Sequence, residues 1–138
     1  MYLVDTNIVS EARKGAKANA GVKAFFRGAI RDGAALYVSA ITIGELRRGI
    51  EILGHRGDTD QAHRVEQWLT QVIDGYKDNI IMFDAEMAQV WGRLRVPYQE
   101  HELDKQIAAT ALLHDLIVVT RNTKDFASTG VKLFNPFI

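Results

Sequence analysis

Tyr2-Leu3-Val4-Asp5-Thr6-Asn7 is an apolar run that stops at an acid and a polar turn. A second run, Leu116-Ile117-Val118-Val119-Thr120, stops the same way, at Arg121-Asn122-Thr123-Lys124-Asp125. Apolar stretches without alternation, polar only at their exit, mark strands covered on both faces. Working outward from this pair, strands are expected at about 2–5, 36–39, 79–83, 116–120 and 131–134. Helical patterns fall between them, at about 7–13, 20–31, 41–54, 60–75, 84–96 and 103–114. Short strands alternating with longer helices predict an α/β fold. The expected form is a three-layer α/β/α sandwich around a mostly parallel five-stranded sheet, closed by right-handed crossovers.

With 138 residues the chain can bury a proper core, and residues 1–138 are expected to form one domain. There is no cysteine, which excludes disulfides and thiolate metal sites. His55, His63, His101 and His114 show no i, i+4 pair, so each is expected to be a solvated or hydrogen-bonded side chain. No apolar stretch approaches the roughly 20 residues that span a bilayer. No basic segment leads into a long apolar core at the N-terminus, so the expected compartment is the cytoplasm, with no membrane contact. Lys+Arg and Asp+Glu both total 17, yet residues 1–57 hold nine bases against five acids and residues 58–138 eight against twelve. A polyanion would have to meet a local basic surface.

Gly54 to Asp60 reads as the connection between two long helices. Ile50, Ile52, Leu53, Val65, Trp68, Leu69, Val72 and Ile73 give that pair more apolar surface than one crossover needs. Core packing is the simplest use, and a dimer face or a peptide groove is the other.

Strand C-termini and helix N-termini share one edge of an open parallel sheet, and ligands bind there. Asp5 and Asp125 follow strands, whereas Glu45 and Asp104 fall in the opening turns of helices. Each has a structural account of its own. Asp5 can cap the first helix, and Thr42-Ile43-Gly44-Glu45 matches a capping box. Asp104 favours a helix dipole, and Asp125 follows an Asx-type turn. Jointly they put four carboxylates on one edge, with Thr6, Asn7, Ser39, Thr120 and Asn122 as neighbouring small polar groups. Such a set repels itself unless a hard divalent cation holds it. The glycine cradles of nucleotide-binding loops and the G-x-S-x-G nucleophile turn are both missing.

Asp5-Thr6-Asn7, Ser39-Ala40-Ile41-Thr42-Ile43-Gly44-Glu45-Leu46, Asp104 before Ile107-Ala108-Ala109-Thr110-Ala111, and Val119-Thr120-Arg121-Asn122-Thr123-Lys124-Asp125-Phe126 resemble the motifs of the PIN-domain family. With its terminal Phe134-Asn135-Pro136-Phe137 the chain more narrowly resembles a VapC-type toxin close to the FitB branch. The resemblance covers nearly the whole chain. It implies an endoribonuclease with a Mg²⁺ site, Mn²⁺ being the other ion admitted. Asp5, Glu45 and Asp104 would be the core acids and Asp125 the less constant fourth, a role Asn122 could share. It also implies a homodimer and a VapB-like antitoxin that blocks the pocket, often with an Arg. Val96 to Leu103 is shorter than the glycine-containing loop this branch often carries, and Lys105-Gln106 replace residues that are more often small or apolar.

The expected chemistry is metal-assisted hydrolysis of RNA phosphodiesters. Asp5 and Asp104 would hold the ion, and Glu45 and Asp125 would complete its shell. Arg47, Arg48, Lys105, Arg121 and Lys124 are candidates to meet RNA phosphates, and Trp91 and Tyr98 to stack on bases. A catalytically weak module whose acidic pocket mainly binds an antitoxin peptide is the competing expectation. A metal-dependent phosphatase or a DNA-directed nuclease is a third.

Overall fold

Tyr2–Val4 (β1) forms the centre of the sheet, with Leu36–Ser39 (β2) on one side and Ile117–Val119 (β4) on the other. Ile80–Ile81 (β3) and Leu133–Phe134 (β5) are the edges, in the order β3-β2-β1-β4-β5. The computed structural model describes residues 1–138, and every strand pair in it is parallel. The register sets Leu3 beside Val118 and Val4 beside Val119.

Side chains alternate across a strand, and here both faces are apolar. Val4, Val38 and Val119 point to one layer with Ile8, Val9 and Val22. Leu3 and Val118 point to the other with Ile107, Ala108, Ala111 and Phe126. The first layer holds Thr6–Ala12 (α1), Ala20–Arg31 (α2), and the antiparallel pair Ala40–His55 (α3) and Thr59–Gly75 (α4). The second holds Glu102–His114 (α6), with Ala85–Leu94 (α5) packed on it. Most of the α3–α4 apolar surface is core, since Ile50, Val65 and Leu69 are buried and Leu53, Trp68 and Val72 pack against them. Ile73 is instead exposed.

Several expected elements shorten or change. The strands expected at 79–83 and 131–134 pair over only two residues each. Asn122 to Phe126 is not a turn alone: Thr123–Phe126 is a helical turn (α7), pinned by a Phe126 ring with no solvent exposure. Burying such a ring contributes about 1.5–3 kcal/mol, enough to fix one helical turn and the acid it carries. The Thr42–Glu45 capping box does not form. Ser39 caps α3 instead, its Oγ accepting from the Ile41 N–H at 3.0 Å, so Glu45 lies one turn further in.

The C-terminal tail returns to α2. A Cβ on Gly21 would come within 1.9 Å of the Pro136 carbonyl oxygen, so only glycine permits this approach. Asn19 Nδ2 donates to the Ile138 carbonyl at 3.0 Å and fastens the last residue.

Candidate metal and phosphodiester site

The strand order reverses at β1, where successive crossovers leave in opposite directions, and the crevice beyond β1 and β4 is the place such folds bind ligands. Asp5 stands at its floor, 3% exposed. Its Oδ1 accepts from the Thr6 N–H at 2.8 Å, and its Oδ2 from Thr120 Oγ1 at 2.8 Å and Asn7 Nδ2 at 3.2 Å. Thr120 Oγ1 accepts in turn from Asn7 Nδ2 and the Asn122 N–H. The Arg121 N–H donates to Asn7 Oδ1, which sets the orientation of that amide. Asp5 therefore caps α1 and also faces the crevice, the two roles drawing on different lone pairs. Burial lifts its carboxyl above the ordinary range, opposed by Thr120, Thr6 and Asn7.

Glu45 reaches the same crevice from α3. Its Oε1 accepts from Thr6 Oγ1 at 2.9 Å, and Thr42 Oγ1 lies 3.2 Å from the same hydroxyl. Burial pushes its carboxyl up, the Thr6 hydroxyl pulls it down and the Asp5 charge adds to the rise. Asp104, in the first turn of α6, is pushed up to about 6 by burial, then by repulsion from Asp5, Asp125 and Glu45. His101 acts on it in the opposite sense. Asp104, on α6, is thus within electrostatic reach of the other three, which come from the cap of α1, from α3 and from α7.

The tightest grouping differs from the sequence expectation. Ligand atoms of His101, Asp104 and Asp125 all lie within 4.8 Å of one another, with His101 Nε2 3.8 Å from Asp125 Oδ1. Asp5 and Glu45 form the deeper wall. His101 is the site residue that spacing missed, because its partners are three residues on in α6 and across the crevice in α7. The signal available was His101-x-x-Asp104, which puts both side chains near one helix start. The donors are carboxylate and hydroxyl oxygens plus one imidazole, a set that suits a divalent cation.

Two of the five expected phosphate-binding cations are committed elsewhere. Lys105 is buried and its Nζ donates to the Tyr98 carbonyl, under the 96–101 loop. Arg47 Nη1 pairs with Glu66 at 2.7 Å and Glu51 at 3.7 Å on the outer faces of α3 and α4. Arg48, Arg121 and Lys124 are exposed, Arg121 with its guanidinium 4.6 Å over Phe137. Trp91 has Arg95 over its ring at 4.3 Å and donates from Nε1 to the Glu102 carbonyl, so it packs rather than offering a free face. Tyr98 is 69% exposed.

A fully parallel five-stranded sheet with acids gathered at its switch point defines an α/β fold of the PIN type. The PIN domain model matches residues 2–132, and the chain belongs to the PIN-domain family. It is 34% identical to "Toxin FitB" of Neisseria gonorrhoeae, over 99% of this chain and 99% of that protein. It is 31% identical to "VapC ribonuclease Y4jK" of Sinorhizobium fredii, over 99% and 98%. The crystal structure of FitAcB from Neisseria gonorrhoeae superposes with a TM-score of 0.83 at 32% identity, covering 99% of this chain and 98% of that one.

Proposed function

We propose that the protein is a divalent-metal-dependent endoribonuclease and the toxin of a toxin–antitoxin pair, with Asp5, Glu45, Asp104 and Asp125 as its metal-binding and catalytic acids. The observation that carries the reading is the convergence of four carboxylates from four elements at the switch point, with Asp104 pushed up to about 6 by burial and by the other three. Acids placed to repel in the free protein favour a bound cation, and the ribonuclease name of a relative at 31% identity agrees in kind. Mg²⁺ is the proposed ion, with Mn²⁺ the other.

Asp5, held by Thr6, Asn7 and Thr120, fixes one ligand position before any ion arrives. Asp104 and Asp125 supply the opposite wall, and Glu45 is oriented by Thr6. A divalent cation bound there supplies Lewis acidity toward a phosphate oxygen and lowers the pKa of water, making in-line attack feasible near neutral pH. Arg121 and Lys124, exposed beside Asp125, meet flanking phosphates of the RNA, and Tyr98 offers a ring for stacking.

A groove beside the acids would suit the antitoxin partner. It has a volume of about 210 Å³, starts at Thr6 and Glu45 and runs over Leu46, Gly49, Leu53 and Val65 to Trp68. An apolar peptide laid there would end at the acids, where an Arg would be paired. No helix is long and apolar enough to cross a membrane; cytoplasmic residence and a homodimer belong to the same proposal.

Purified protein free of antitoxin, incubated with a structured RNA and Mg²⁺ or Mn²⁺, should produce discrete cuts. EDTA and Asp5→Asn should each abolish them. Uncut RNA from folded, Mn²⁺-binding protein would shift the reading to a peptide-binding module.

A further inference from the structure

We propose that His101 is a nitrogen ligand of the divalent-ion site, so that the subsite it shares with Asp104 and Asp125 favours Mn²⁺ over Mg²⁺. The inference rests on the metal-site reading above and adds a residue and an ion preference to it.

His101 Nε2 and Asp125 Oδ1 are 3.8 Å apart, too far for a hydrogen bond. Two ligands with bonds of about 2.1 Å to one ion sit roughly 3 to 4.2 Å apart, depending on the angle between them. The Asp104 carboxylate lies within 4.8 Å of both, so a slight closing of the side chains brings all three onto one ion. As a plain ion pair, half-exposed at that separation, His101–Asp125 would contribute little.

The backbone is set to aim the imidazole. His101 has φ 58° and ψ 47°, a left-handed conformation uncommon outside glycine. Residues on either side are fastened around it. The Lys105 N–H donates to the His101 carbonyl at 2.9 Å, and the Lys105 ammonium to the Tyr98 carbonyl. Arg95 Nη2 pairs with Glu102 Oε1 at 2.8 Å, while Trp91 Nε1 donates to the Glu102 carbonyl at 3.1 Å. The loop before α6 thus presents one nitrogen donor to a site otherwise made of oxygens.

Donor type then decides the ion. Mg²⁺ demands oxygen ligands in near-ideal octahedral geometry and retains water, whereas first-row transition ions accept imidazole beside carboxylate. Mn²⁺ takes both donor types.

The test is pulsed EPR on full-length, antitoxin-free protein loaded with MnCl₂, with calorimetric titration of Mn²⁺ and Mg²⁺. The expected spectrum shows ¹⁴N coupling that is lost in His101→Gly, a residue that adopts this backbone without strain. The Mn²⁺ Kd should weaken by at least the roughly 10-fold that loss of a supporting group costs a metal site. The Mg²⁺ Kd should change by less than about two-fold. Circular dichroism in EDTA establishes that the variant is folded, and the wild-type spectrum decides the question by itself if it is not. Mn²⁺ bound with no nitrogen coupling, at a site abolished by Asp104→Asn, would overturn the role of His101 and leave the metal-site reading standing. Mn²⁺ binding that is absent, or unchanged in Asp104→Asn, would overturn both.

Discussion

Asp5 is buried with a carboxylate that takes three hydrogen bonds from neutral donors, whereas Asp104, half-buried across the crevice, is perturbed by burial and by three other acids. One acid is positioned by the scaffold whether or not an ion is present. The other is held where it is uncomfortable, and the discomfort is relieved by protonation or by a cation. A pocket built this way keeps a rigid wall for geometry and a responsive wall for affinity.

The largest expected effect tests the rigid wall. Asp5→Asn should lower RNA cleavage by roughly 100-fold or more in single-turnover assays, because preorganised charge at the reacting centre carries effects of that size. Its far-UV circular dichroism should match wild type. Cleavage that survives would remove Asp5 from the chemistry and break the contrast.

Thr120→Val comes next. It keeps the shape of the side chain but takes the donor from Asp5 and the acceptor from Asn7 and Asn122. Urea unfolding should show a loss of about 1–3 kcal/mol, the range for orphaning buried polar groups.

The responsive wall is tested by Asp104→Asn without metal. The folded carboxyl titrates near 6 against 3.8 for the ordinary group, so the stability it contributes is full below pH 3.8 and lost as pH rises through about 6. At pH 7.5 the amide should therefore raise stability by about 1 kcal/mol, allowing for partial solvent screening. Tm should rise by about 2–4 °C for a chain of this size. The gain should vanish below pH 4, and added Mn²⁺ should reverse the order by stabilising the wild type alone.

The smallest effect belongs to Arg47→Ala, on an exposed ion pair away from both walls. Tm should stay within about 1 °C and cleavage should be unchanged.

The sequence carried the architecture because runs such as Leu3-Val4 and Val118-Val119 are apolar on both faces, which only a covered strand requires. It also pointed to the four acids from their places near strand ends and helix starts, although Glu45 lies a turn inside α3. What it hid were choices made by tertiary contact. Ser39 and Thr42 both suit an N-cap, and burial of Thr42 inside the helix decided between them. Lys105 looks like a surface cation until the 96–101 loop folds over it and supplies the Tyr98 carbonyl. Residues 123–126 are too few to show a helical period, so α7 became visible only through the burial of Phe126. His101 and Asp125 are far apart in the chain, and no local spacing links them.

The strand order also governs when the protein becomes competent. β1 is made before the other four strands of the sheet, yet the Thr120 hydroxyl that steadies Asp5 follows it by 115 residues, just after the neighbouring β4. Asp104 precedes Thr120 by only 16 residues and Asp125 follows it by five. Chains fold from the N-terminus as they are synthesised, and contacts this distant in sequence close last. A nascent copy still being translated therefore carries Asp5 but no finished pocket. If the molecule cuts RNA, it cannot do so until the segment carrying Thr120 and Asp125 has been made and has paired with β1.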